Sequence, residues 1–135
     1  MLDTNVLLSL LLFPNPRMNG MMESIFTEHE LVLSSFVVEE LKAVVQRKFP
    51  SKAIDVDTLL MKMSYDLVYT PDVMDAGLFD IRDMKDYPVL YTAILEDVDV
   101  LITGDKDFAD IVLEKPEILT PAEFRSRYAT HISEE

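Results

Sequence analysis

Short apolar runs separated by stretches of helical periodicity constrain the fold of this chain more than any other feature. Leu31-Val32-Leu33, Leu67-Val68-Tyr69 and Val98 to Thr103 (VDVLIT) have the length and composition of strands, and apolar residues recur at helical spacing in most of the intervals. Parallel strands need a crossover between them, usually a helix, so this alternation calls for an α/β layer fold around a mostly parallel sheet.

Capping chemistry marks the helix boundaries. In Thr120-Pro121-Ala122-Glu123 the threonine can cap, Pro121 suits the first helical position and Glu123 can reach back, which predicts a final helix from about Pro121 to Ala129. Ser34 or Ser35 can cap a helix carrying Val37, Val38, Leu41, Val44 and Val45, stopped by Pro50. Further helices are expected from near Val56 through Met63, from Pro88 through Glu96, and from Arg17 to Glu30 despite Asn19-Gly20. With 135 residues, 49% of them hydrophobic, and no repeat, low-complexity tract or linker, the expectation is one domain spanning residues 1–135.

Composition narrows the chemistry. The chain has no cysteine, so disulfides and thiolate metal sites are excluded and a reducing cytoplasm is the expected setting. His29 and His131 are far apart without paired-ligand spacing, which leaves oxygen as the donor for any metal. Gly20, Gly77 and Gly104 are too scattered to form a phosphate-cradling loop. Val6 to Phe13 is apolar, but Asp3 stands where a signal peptide carries positive charge, and Pro14-Asn15-Pro16 replaces a cleavage site. The run is also too short to span a bilayer, so a buried first helix and no membrane association are expected. A net charge of −13, from 25 acids against 12 bases, excludes a globally basic nucleic-acid binder. Nucleic acid remains open as a substrate, because bound divalent cations reverse the field locally.

In a parallel α/β sheet the functional crevice lies beyond the carboxyl ends of the strands, which gives weight to four acids. Asp3 stands at a strand-to-helix turn, and Asp105 follows the run Val98 to Thr103 across Gly104. Taken alone, the first reads equally as a helix cap and the second as a turn residue. Glu39 and Glu40 project about 100° apart on their helix. Glu40 falls at the edge of the stripe centred on Leu41, where a carboxylate needs a partner, and Glu39 points to solvent. Asp86 precedes the helix carrying Leu90, Ala93 and Ile94, a place that favours a carboxylate whatever its function.

Leu-Asp-Thr-Asn-Val at residues 2–6, Ser34 to Leu41 (SSFVVEEL), Asp83 to Ala93 (DMKDYPVLYTA) and Thr103 to Phe108 (TGDKDF) together resemble the PIN domain, most closely its VapC-type toxins of toxin–antitoxin pairs. The resemblance covers nearly the whole chain, ending in Thr-Pro-Ala-Glu-Phe at 120–124. It implies a three-layer fold with a central, mostly parallel sheet of about five strands flanked by helices. It also implies a catalytic centre of Asp3, Glu40, Asp86 and Asp105, with Asp3, Asp86, Asp105 and Asp107 as ligands for Mg²⁺ or Mn²⁺. Asn5 and Thr103 match positions that support the site by hydrogen bonding. The implied activity is metal-dependent cleavage of RNA, and the implied partners are an antitoxin protein and a second copy in a homodimer. The family normally has several apolar residues before its first aspartate; here Met1 and Leu2 precede Asp3, so the first strand is short or the native start lies upstream. Whether Asp105 or Asp107 completes the centre stays open at this level, as does the choice of phosphate contacts among Arg17, Lys42, Arg82, Lys85 and Lys106. Two rivals stand beside this reading: an inactive PIN-like protein-binding module, and an aspartate-based Mg²⁺-dependent phosphotransferase. A haloacid-dehalogenase-type phosphotransferase expects a second Asp where this chain has Asn5.

Overall fold

Asp3 turns the N-terminal segment into the first helix, α1 (Thr4–Leu12), by accepting the Val6 N–H on Oδ1 at 2.9 Å. The same chemistry sets the later starts in the computed structural model, which describes residues 1–108 and 110–128. Asn15 caps α2 (Pro16–Glu28), and of the two candidate serines it is Ser34 that caps α3 (Ser35–Lys48), accepting the Val37 N–H. Helix α4 (Ala53–Lys62) follows a 3₁₀ turn at Pro50, and α5 (Tyr87–Leu95) follows another at Met84–Asp86. The capping box forms in both directions ahead of α6 (Pro121–Tyr128): Glu123 N–H donates to Thr120 Oγ1 at 3.1 Å, and Thr120 N–H donates to Glu123 Oε1 at 3.0 Å. The expected end of that helix at Ala129, like His131, lies outside the described residues.

All strand pairing among the described residues is parallel. Strand β1 (Val32–Ser34) pairs with β2 (Asp66–Val68), and β3 (Val100–Ile102) with β4 (Glu117–Leu119). Leu2 bridges Ile102 on the other edge of β3, where Ile102 N–H donates to Met1 O at 2.9 Å and Asp3 N–H to Ile102 O at 3.2 Å. The expected five parallel segments are therefore present, but their regular ladders form two pairs and a bridge rather than one continuous sheet. Each named strand is three residues long, which leaves few rungs for continuous pairing. Strand β4 is not expected from the sequence, because Glu117 leaves only Ile118-Leu119 as an apolar run.

Leu2, Leu7, Leu33, Leu41, Leu90 and Leu101 are fully buried and bind helices to strands. Removing each such side chain from water contributes roughly 1.5–3 kcal/mol before the entropy of ordering is subtracted. Helix α1 packs against α2, α3 and α4, while α3 also contacts α5. These packings bring the start of α1, the first turns of α3 and the start of α5 toward the carboxyl ends of the Leu2 segment, β1 and β3.

Candidate active site

The N-cap of α1 is also the most deeply placed acid among the described residues. Asp3 is 6% exposed, with Oδ1 on the Val6 N–H and Oδ2 accepting the Thr103 hydroxyl. Thr103, buried just past β3, in turn accepts the Asp105 N–H at 3.0 Å. One hydroxyl thus couples the loop after β3 to the start of α1. Burial pushes the Asp3 carboxyl above its usual range, and the negative charges of Asp105 and Glu40 push the same way; the hydrogen bonds from Thr103 and Val6 pull it back.

On α3 the adjacent glutamates separate by helical phase. Glu39 is exposed, whereas Glu40 is half-buried and accepts the Thr4 hydroxyl on Oε1. Thr4 thus supports the site by hydrogen bonding, the kind of role the resemblance implies for Asn5 and Thr103. Asn5 is exposed and makes no side-chain hydrogen bond among the described residues, because the second position of α1 turns outward.

Asp86 stands immediately before α5 in helical backbone geometry, so its carboxylate makes no capping bond. Its Oδ2 is buried without a hydrogen-bond partner. The carboxyl is pushed up to about 7, first by burial, then by the charge of Asp105, with Asp83 and Asp107 adding to it. Contact with Asp105 becomes a hydrogen bond only when one of the two carries a proton, which raises the affinity for that proton. Asp105 itself accepts the Asp107 N–H on Oδ1 at 2.8 Å. It is the member whose charge reaches both Asp3 and Asp86.

The tightest grouping adds a residue that sequence reasoning passed over. Asp83, Asp86 and Asp107 each present a carboxylate oxygen within 4.8 Å of the others. The overlooked signal is the spacing of Asp83 and Asp86. Side chains three apart eclipse across a 3₁₀ turn, and Asp83 caps the turn that ends at Asp86 by accepting the Lys85 N–H at 2.9 Å. Among the described residues no ion pair reaches Asp3, Glu40, Asp83, Asp86, Asp105 or Asp107; Arg82, beside Asp83 in the chain, is paired with Asp110 instead. Crowded carboxylates with a buried, unpartnered oxygen and no ion pair are the donor set that suits a hard divalent cation, so the residues fit Mg²⁺ or Mn²⁺.

A family model described as the PIN domain matches residues 1–107. The chain belongs to the PIN-domain family. PIN domains are generally nucleases, which places this PIN domain among the hydrolases at family level. Its fold is similar to that in the crystal structure of VapBC2 from Rickettsia felis bound to a DNA fragment from their promoter. The TM-score is 0.66 and the identity 18%, over 88% of this chain and 95% of that one, so the likeness is one of fold. No curated protein matches the chain at a significant level.

Proposed function

We propose that this PIN domain, acting as one unit over residues 1–135, is a divalent-metal-dependent endoribonuclease and the toxin of a toxin–antitoxin pair. The observation that carries the nuclease reading is the crowded cluster of carboxylates on the two 3₁₀ turns, in which Asp86 keeps a buried oxygen without a partner. Asp83, Asp86 and Asp107 would hold the ion, with Asp3 and Asp105 adjoining them. When bound, Mg²⁺ or Mn²⁺ supplies charge neutralisation at a phosphodiester and a more acidic water. The chain's own part is positional and proton-handling. Thr103 fixes the Asp3 carboxylate through Oδ2, and Thr4 fixes Glu40 through Oε1. Glu40 Oε2 then remains to orient the attacking water or accept its proton.

The toxin role rests on the sequence resemblance and on the fold shared with a VapBC2 structure. On this reading the partners are an RNA substrate, an antitoxin protein and a second copy of the chain, in the cytoplasm. No helix among the described residues is long and apolar enough to cross a membrane. The inactive-module alternative is disfavoured because acids occupy every expected position. The phosphotransferase alternative is disfavoured because Asn5 is exposed and outside the acid network. The test is cleavage of a mixed RNA pool by purified protein with EDTA, Mg²⁺ or Mn²⁺. Cleavage that requires the ion and is lost in Asp86→Asn supports the reading; a wild-type protein inert under all three conditions would overturn it.

A further inference from the structure

Residues 69–83, between β2 and the turn leading into α5, contain neither helix nor strand, yet Asp83 at their end sits beside Asp86 and Asp107. The charge of Asp83 is among those acting on Asp86, so this placement works against repulsion. A long irregular segment holds such a position only if it is tethered. Helix α5 supplies the tethers. Near the start of the segment, Thr92 donates its hydroxyl to Thr70 Oγ1 at 2.8 Å. From the preceding residue, the Tyr91 hydroxyl accepts the Asp75 N–H at 3.2 Å. Tyr87 grips hardest: its hydroxyl donates to the Asp75 carbonyl and accepts the Leu78 N–H at 3.3 Å. Its ring also stacks on Phe79, with centroids 4.3 Å apart and planes at 16°. Tyr87 is 4% exposed and follows Asp86 directly in the chain. It therefore shares backbone with one acid of the cluster while holding the stretch that leads to another.

We propose that Tyr87 is a positioning residue: by gripping the chain at Asp75, Leu78 and Phe79 it keeps Asp83 beside Asp86 and Asp107 and so sets the affinity of the cluster for a divalent cation. The inference rests on the metal-dependent reading of the same site. Its effect passes through Asp83, since the hydroxyl's two bonds both go to the backbone of the tethered segment.

The experiment is Mn²⁺ titration calorimetry on the full chain without RNA, comparing wild type, Tyr87→Phe, Asp83→Asn and the double variant. Tyr87→Phe keeps the ring and removes both hydroxyl bonds. It should weaken Mn²⁺ binding roughly tenfold, within the span typical of residues that orient metal ligands. In the Asp83→Asn background the same change should have no further effect, because the residue it positions no longer contributes. Phe79→Leu, which leaves the hydroxyl and removes the stack, should weaken binding in the same Asp83-dependent way and covers the case in which Tyr87→Phe folds poorly. Unchanged Mn²⁺ affinity in Tyr87→Phe, or an equal loss with and without the Asp83 carboxylate, overturns the positioning role. A wild-type chain that fails to bind Mn²⁺ is a separate outcome: it overturns the metal reading itself, and the positioning role falls with it.

Discussion

The acidic centre has two sides that differ in how their charges are satisfied. On the side of α1 and α3, Asp3 and Glu40 are held by hydroxyls from Thr103 and Thr4, and Asp3 also caps a helix. On the side of the two 3₁₀ turns, Asp83, Asp86 and Asp107 crowd together, and the Asp86 carboxylate makes no capping bond and leaves Oδ2 unpartnered. The first side is pre-organised by the protein and contributes to folding. The second crowds three carboxylates with no ion pair among the described residues, which is the arrangement expected where an ion completes the structure.

If that contrast holds, the largest effect should come from the unsatisfied side. Asp86→Asn should reduce metal-dependent RNA cleavage by more than about 100-fold, beyond what the outer partners of a metal typically contribute. The metal-free protein should at the same time melt no lower than wild type at pH 7, since the change removes repulsion; a lowered melting temperature would mean that Asp86 is a structural residue.

The pH dependence of metal-free stability should follow. The Asp86 carboxyl is raised in the folded state from 3.8 to about 7, so between those values the native protein binds more protons than the unfolded chain. Stability from this group is full below pH 3.8 and is lost as pH rises through about 7. Asp3, also raised, acts in the same direction. Chemical denaturation across pH 4–8 in EDTA should show this decline, flattened in Asp86→Asn and reversed at the upper end by Mg²⁺. A wild-type profile that rises across the window would contradict the crowding.

Smaller changes should separate the two sides by stability alone. Asp3→Ala removes an N-cap and should cost about 0.5–2 kcal/mol in urea denaturation without metal, whereas Asp86→Ala, which removes no capping bond, should cost less. Equal losses in the two variants would erase the distinction. The smallest expected effect is Thr4→Val, about 0.5–1.5 kcal/mol for one hydrogen bond to a half-buried carboxylate. On the present reading it should slow cleavage through the placement of Glu40 while leaving Mn²⁺ affinity unchanged; weakened Mn²⁺ binding would place Glu40 among the ligands.

What the amino-acid order by itself determined is the local chemistry. Asp3, Thr120 and one of the pair Ser34-Ser35 cap helices where their neighbours allow it, and the 100° step between Glu39 and Glu40 decides which of them faces inward. The parallel α/β class was legible for the same reason, because strand and helix periodicities are properties of short stretches. Tertiary structure alone decided how the strands divide into pairs, that Glu117–Leu119 joins β3, and that Thr4 reaches Glu40. It also decided that Asp83 joins Asp86 and Asp107, since that meeting depends on an irregular segment held by Tyr87 and Tyr91. Three-residue strands carry too little pattern to announce their partners. Carboxylates that meet only through the closing of a long loop leave no period in the sequence, because the energy that gathers them comes from contacts far apart along the chain.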